Sequence, residues 1–377
     1  MKFSIKRSAF IQSLNTVSRA ISSKTTIPIL TGIKITADSE GLILTGSNAD
    51  ISIETQIKID DAKNELVIEE EGSVVLTAGF FVSIVRKLPD EKMDLSVSND
   101  LQTTIKSGQS EFTINGLNAS NYPHLPEIDT DDSVTFSGDI FKEIIGQTVI
   151  AVSTQESRPI LTGVHFELSA GKLLAVATDS HRLSQRSINF SGSDRDYNFI
   201  IPGKSLNELS RMIEEHQDLE MRIAENQVLF IFGDTFFYSR LLEGNYPDTS
   251  RLIPEESTTQ VQLEAPTLLA SIERASLLSH ASRNNVVKLT ITPSDGRIEI
   301  TGDSPDVGTV EEELEPESVT GDELEISFNP DYVKDALHSF GKTMIEISFS
   351  SALRPFTLKP TEDGDSFIQL VTPVRTF

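Results

Sequence analysis

Two different short phrases recur in this chain at almost the same interval, and that repeat constrains the fold more than any other feature. Pro28-Ile29-Leu30-Thr31-Gly32 returns 131 residues later as Pro159-Ile160-Leu161-Thr162-Gly163, and Asn121-Tyr122-Pro123 returns 124 residues later as Asn245-Tyr246-Pro247. A third proline of similar context, Pro373, lies 126 residues beyond Pro247, close to one third of the 377-residue length. A period this long belongs to whole domains, not to the stacked units of a solenoid.

The local patterns repeat with the phrases. Phe10, Leu14, Val17 and Ile21 fall at helical spacing behind Ser8, a candidate cap. Ile140 (or Phe141), Ile144, Thr148 and Val152 do the same in the second third, and Leu268, Ile272 and Ala275 follow Pro266 in the last. Alternating segments come next: Ile33–Thr36, Val164–Glu167 and Lys288–Ile291. Each third then offers a second helix, at Phe80–Leu88, Ser205–Ile213 and Pro330–Phe340, and more strands, including Glu111–Asn115, Val228–Phe232, Glu346–Phe349 and Phe367–Val371. Two helices and about eight short half-buried strands per third predict an α+β class, helices packed on antiparallel sheets. The expected domains are 1–128, 129–254 and 255–377, each of the two borders following an Asn-Tyr-Pro segment.

Composition narrows the function. With no cysteine, the chain has no disulfides or thiolate metal sites and suits a reducing, cytoplasmic setting. It has no apolar run of the ~18 residues that a membrane span needs, and Met1 to Phe10 does not read as a signal peptide. The net charge of −25 argues against a DNA binder, but its distribution does not. Residues 1–37 hold Lys2, Lys6, Arg7, Arg19, Lys24 and Lys34 and no acid, leaving 26 of the 32 bases to face all 57 acids elsewhere. One basic surface on a repelling body is the expectation.

Several motifs are declined. Asp179-Ser180-His181-Arg182 has hydrolase residue types, but neighbours in a strand would point apart. Gly203-Lys204-Ser205 and Gly341-Lys342-Thr343 lack the first glycine of a phosphate loop. His124, His165, His181, His216, His280 and His338 have no metal-ligand spacing, and Asp129, Asp131 and Asp132 lack the glycine and distal Glu of a calcium loop. The acids around Glu311-Glu312-Glu313 read as a solvated loop or edge strand. No cofactor and no catalytic residue is expected.

The stretches Ser153–Gly163, Ala177–Leu183, Gly244–Pro247, Ser327–Pro330 and Thr372–Arg375, in register over the whole chain, resemble the bacterial DNA polymerase III β subunit family, the β sliding clamps. The resemblance implies a DNA clamp fold of three repeated domains and a head-to-tail homodimeric ring. It implies a non-catalytic processivity factor that encircles duplex DNA without reading its sequence. The partners it implies are the replicative DNA polymerase, a clamp loader and other replication or repair proteins with clamp-binding peptides, and no membrane. The alternatives are a monomeric three-domain DNA-associated adaptor and a DNA-cleaving enzyme; the latter needs clustered carboxylates that the sequence lacks.

By the same resemblance, a Gln-x-x-Leu-Phe type of peptide would seat against Leu161, Thr178, Ser180, His181, Arg182, Leu183, Pro247, Arg251 and Leu252 from the second domain. The third would add Asn329, Tyr332, Leu353, Pro355, Val371, Pro373, Val374 and Arg375. Ser180, Val374 and the tail Thr376-Phe377 depart from the pattern of some relatives and bear on the pocket's shape. DNA proximity falls to Lys24 and Gln155, with Arg7, Arg19, Arg86 and Lys87 on or beside the first domain's helices. The dimer junction falls to Phe112 and Ile114 on one side and to Leu277 and Leu278 on the other.

Overall fold

The computed structural model describes residues 1–125, 128, 133–189, 195–281 and 285–375. The carboxylates Asp129, Asp131 and Asp132 and the tail Thr376-Phe377 lie outside them.

The first third holds β1 (Lys2–Lys6), α1 (Arg7–Ser18), β2 (Gly32–Ala37), β3 (Gly41–Ser47), β4 (Ile51–Lys58), β5 (Val67–Glu70), β6 (Gly72–Thr77), α2 (Ala78–Lys87), β7 (Lys92–Val97), β8 (Gln102–Ser107) and β9 (Ser110–Asn115). The second holds β10 (Ser133–Ser137), α3 (Gly138–Thr148), β11 (Gly163–Ser169), β12 (Lys172–Thr178), β13 (Arg182–Asn189), β14 (Tyr197–Pro202), α4 (Gly203–Ser210), β15 (Asp218–Ile223), β16 (Gln227–Phe232) and β17 (Thr235–Arg240). The last holds β18 (Thr259–Glu264), α5 (Ala265–Ser279), β19 (Val287–Thr292), β20 (Arg297–Ser304), β21 (Gly308–Leu314), β22 (Ser318–Gly321), β23 (Leu324–Phe328), α6 (Pro330–Phe340), β24 (Met344–Phe349), β25 (Phe356–Pro360) and β26 (Phe367–Val371). Each third runs strand into helix twice, so the α+β expectation is met by six α-helices among the described residues, and every ladder is antiparallel.

The chain divides into two compact units. One is residues 1–141 with 207–241, and the other is 142–206 with 242–377. The division follows the sheets. The first unit carries a five-stranded sheet, β5-β1-β7-β8-β9, and an eight-stranded one, β10-β15-β16-β17-β4-β3-β2-β6. The second unit carries a nine-stranded sheet, β14-β11-β12-β13-β26-β25-β24-β18-β22, and a four-stranded one, β21-β20-β19-β23. Two of these sheets cross the borders between thirds. β17 pairs with β4 through Thr235↔Thr55 to Ser239↔Ile51, and β26 pairs with β13 through Phe367↔Arg186 to Val371↔Arg182.

The repeated phrases have a common local cause. Both Pro-Ile-Leu-Thr segments form single 3-10 turns, Pro28–Thr31 and Pro159–Thr162, with the proline in the first turn, where its missing N–H costs nothing. Each turn buries its leucine, Leu30 or Leu161, and ends on a glycine that begins a strand. Pro373, by contrast, lies two residues beyond the end of the last strand and is not the counterpart of Pro247, which lies seven residues beyond the end of β17.

Three local expectations are corrected. Ser8 does not cap α1: the helix starts at Arg7 and the cap position is Lys6, without a side-chain bond. The segment Asp179–His181 is a tight turn between β12 and β13, not a strand; Ser180 takes φ 79° there, and the Asp179 carboxylate accepts the N–H groups of His181 at 2.9 Å and Arg182 at 3.0 Å. α4 ends at Ser210, because the chain tightens so that the Met212 N–H donates to the Leu209 carbonyl at 2.9 Å.

Helices cross strands closely where a glycine allows it. A Cβ at Gly46 on β3 would lie 2.2 Å from the Val17 carbonyl of α1, and one at Gly302 on β20 would lie 2.7 Å from the Ala275 carbonyl of α5. Both obstacles are backbone oxygens that cannot turn aside. We expect Gly46→Ala to cost about 2 kcal/mol or more through overpacking. In a thermal melt the first unit's transition should fall by roughly 5 °C. Gly79→Ala on α2, where nothing lies within 4 Å, should leave it unchanged or raise it. Equal transitions for the two variants would refute the close-packing explanation.

Candidate functional site

The peptide-pocket candidates all fall within the second unit, in six segments of the chain, one of which spans the β12–β13 turn. Leu161, Thr178, Leu183 and Val371 are buried. Leu183 packs with Val176 and Leu370, and Leu174, Tyr246 and Ile253 close around them. Two ladders fix this floor: Leu183 stands opposite Thr178 on β12 and opposite Leu370 on β26. An apolar floor set in a sheet holds its shape without a ligand, which keeps the ordering cost of binding low.

Polar groups fix the walls. The Thr178 N–H donates to the Tyr246 hydroxyl at 3.0 Å, and the Thr178 hydroxyl donates to the Arg182 carbonyl at 2.6 Å. Burial pushes the Tyr246 phenol up to about 12, so it stays protonated. Arg182 is clamped: Nε donates to Asp179 at 3.0 Å, Nη1 donates to Asp335 at 2.5 Å, and its guanidinium carbon lies 4.7 Å from the centre of the Tyr332 ring. His181 stacks on the same ring, with centroids 6.2 Å apart. Arg158 donates to the Ser180 hydroxyl at 3.2 Å. The tail is held as well: the Thr372 N–H donates to the His181 carbonyl at 2.9 Å and the Val374 N–H donates to the Ser327 carbonyl at 2.7 Å, so Pro373 and Val374 run along the rim.

Asn329 caps α6 through the Asp331 N–H, which sets Tyr332 on the first turn. Burial alone would raise the Asp331 carboxyl, but Lys334, His280 and Asn285 bond to it and hold it below the usual range. Leu252 and Leu353 stand out in solvent, 49% and 62% exposed, and Pro247, Arg251 and Arg375 are also exposed, with Pro355 half-buried. Leu252 precedes Ile253, which packs against the floor, and Leu353 lies just before β25, which pairs with β26. Sequence reasoning missed Tyr246, Asp335 and Ile253 here. The repeated Asn-Tyr-Pro phrase carried a signal for the first; the other two are ordinary residues whose place only the fold reveals.

The proposed DNA residues divide. Lys24 and Gln155 are both exposed in the loops after their helices. Each makes the same local bond, the Lys24 N–H donating to Ser22 Oγ at 3.2 Å and the Gln155 N–H to Ser153 Oγ at 3.1 Å. Arg7 is tied down. It donates to Glu91 at 2.7 Å and to the carbonyls of Asp90 and Arg86, joining the start of α1 to the end of α2. Its guanidinium holds the Glu91 carboxyl below the ordinary range. Arg86 donates to Asn15 at 3.1 Å, Lys87 is exposed, and Arg19 lies 3.7 Å from Glu208. Lys2 also meets an acid, Glu69. The acid-free N-terminal segment is therefore partly neutralised by carboxylates from elsewhere, and its basic surface is thinner than the count of bases predicted.

The junction candidates lie on an edge strand and on a helix. Phe112 (40% exposed) and half-buried Ile114 sit on β9, the last strand of its sheet, while Leu277 (72% exposed) and half-buried Leu278 sit on α5. Phe80 on α2, 74% exposed, is a further bare aromatic that sequence periodicity had assigned only to a helix. The triplet Glu311-Glu312-Glu313 lies on β21, an edge strand as expected, with Arg274 and Arg297 reaching Glu312 and Glu313. No group of three or more potential metal ligands occurs among the described residues, and no described helix is long and apolar enough to cross a membrane.

Comparison with known proteins agrees over the whole length. Family models for the DNA polymerase III beta subunit match in order: the N-terminal domain at residues 1–126, the central domain at 135–248 and the C-terminal domain at 250–375. A curated beta sliding clamp of Bacillus subtilis is 47% identical over 380 residues, covering all of both chains. The crystal structure of the DNA polymerase sliding clamp from Bacillus subtilis superposes with a TM-score of 0.97 at 46% identity, again covering both chains fully. The DNA polymerase III beta chain from Streptococcus pneumoniae gives a TM-score of 0.96 at 45% identity and the same coverage.

Proposed function

The chain belongs to the DNA polymerase III beta subunit family, and on that premise we propose that two copies close head to tail around duplex DNA and hold replication proteins on it. Its function is that of a DNA sliding clamp. The observation that supports ring closure is an unfinished pattern of strand pairing. Within the chain, the last strand of one third pairs with the second hairpin strand of another: β17 with β4, and β26 with β13. The strands left over by that rule are β9 and β21, and both are bare sheet edges. Pairing β9 of one copy with β21 of the next supplies the missing joint, and doing so twice closes a two-fold ring. Phe112 and Ile114 lie on β9, and Leu277 and Leu278 on the helix that packs against β21, so an apolar contact would back the joint. A monomeric adaptor is the lesser reading, because it would leave both edges open to uncontrolled pairing.

We read the thirds 1–128, 129–254 and 255–377 as its domains, supported by the three consecutive family matches. Enclosure needs no bond-making and few phosphate contacts, so the role is non-catalytic and the ring free to slide. A cytoplasmic location goes with the DNA. The second unit's pocket would take the short peptides of a polymerase, a loader and other partners, seating their Leu and Phe on the Leu183 floor.

Topology is the test. Protein loaded onto nicked circular DNA by an ATP-driven loading complex should stay with the DNA through gel filtration in high salt. Cutting the circle once should release it to background. Retention unchanged by the cut would mean that the protein binds the DNA rather than encloses it.

A further inference from the structure

The first unit contains a second groove built on the same frame as the peptide pocket. The Asn48 side chain organises the β3–β4 turn by accepting the N–H groups of Asp50 and Ile51 at 2.8 and 2.9 Å, as Asp179 does for His181 and Arg182. The Arg240 N–H donates to the Asp50 carbonyl at 3.0 Å, as Thr372 does to His181. Leu30 stands where Leu161 stands, in the matching 3-10 turn, and Pro123 follows Tyr122 as Pro247 follows Tyr246. The ladder of β4 with β17 sets Ser239 opposite Ile51, as Val371 stands opposite Arg182. Between these segments lies a groove of about 390 Å³, within the size range of ligand sites.

Its chemistry differs in a defined way. Ile51 replaces Arg182, Tyr238 replaces Leu370, and Ser52 replaces Leu183, pairing with Ser47 at 2.6 Å. The floor is therefore partly polar at one end, while Leu30, Ile51 and Leu125 keep the other end apolar and Ile27 stands 50% exposed at the mouth. Arg240 on the rim is exposed and makes no ion pair among the described residues, in a chain of net charge −25. We propose that this groove is a second docking site for a short extended peptide with one aliphatic or aromatic anchor and a neighbouring carboxylate, the anchor on Leu30 and Ile51 and the carboxylate on Arg240. The proposal rests on the reading that the second unit's pocket takes such peptides, since it transfers that architecture to the first unit.

Photo-crosslinking the full chain with a Gln-Ala-Asp-Leu-Phe peptide carrying a benzophenone, followed by peptide mapping, separates the two grooves. Labels are expected on residues 47–52 or 122–125 as well as on 178–183. Ile27→Glu with Arg240→Ala should lower the first set at least ten-fold and leave the second intact, and Leu353→Asp should do the reverse. Labelling confined to 178–183 and 371–375 overturns the second site while the peptide pocket stands. Labelling at neither groove of a folded chain overturns the peptide reading and this inference with it.

Discussion

A chain carrying Leu277→Glu together with Leu278→Glu is expected to run at the mass of one chain, 41.5 kDa, and the unaltered protein at twice that. Leu277 is 72% exposed, so its leucine contributes little to the fold of the lone chain and its burial would be gained only against a partner. Burying a leucine is worth about 1.5–3 kcal/mol, and a glutamate in its place would bring an unpaired charge into the contact. A loss of about 3 kcal/mol at each junction weakens association about a hundred-fold, and a ring with two junctions loses both. Analytical ultracentrifugation at micromolar concentration reads the outcome, with circular dichroism to verify folding. A persistent dimer would place the junction elsewhere, with exposed Phe80 as the next candidate.

Replacing both Leu252 and Leu353 with Asp should weaken a Gln-x-x-Leu-Phe peptide about a hundred-fold without lowering the melting temperature. Both side chains are largely in solvent, so substitution removes no core packing and the stability change stays within about 0.5 kcal/mol. Beside the Leu183 floor they are the apolar surface a peptide would cover, at about 1.5 kcal/mol each. Fluorescence anisotropy of a labelled peptide against both proteins gives the ratio. An affinity within three-fold of the unaltered chain would remove these leucines from the site. Leu183→Ala is a poorer probe, because that residue is 1% exposed and its loss would also open a cavity.

Much of this was legible in the sequence, for physical reasons that can be named. Proline in a first turn followed by glycine at a strand start is a local signal, so the Pro-Ile-Leu-Thr-Gly repeat marked two equivalent turns. The sequence pattern located the six α-helices among the described residues, and at α3 the structure chooses Phe141 for the core and leaves Ile140 45% exposed. Strand register was not legible. Nothing in the spacing of Ile51 or Ser239 says that β4 and β17 are neighbours, since that choice belongs to whole sheets. The clamp on Arg182 was hidden for a similar reason: Asp335 lies 153 residues away on α6. The charge map misled in one respect, because adjacency in sequence concealed the carboxylates that fold back onto Lys2, Arg7 and Arg19.

Because the two joints are made by strands from different thirds, covalent connection and sheet continuity run through different segments. A protease that nicked the connector around Asn121 would cut the chain, yet the pieces would still share the five-rung ladder of β4 with β17. A cut near Tyr246 would likewise leave the five rungs of β13 with β26. The connectors fix the order in which the thirds are synthesised, whereas the ladders fix which third sits beside which. Fragments made separately would therefore each carry a strand that pairs with the other, and reconstitution from complementary pieces is the expected result.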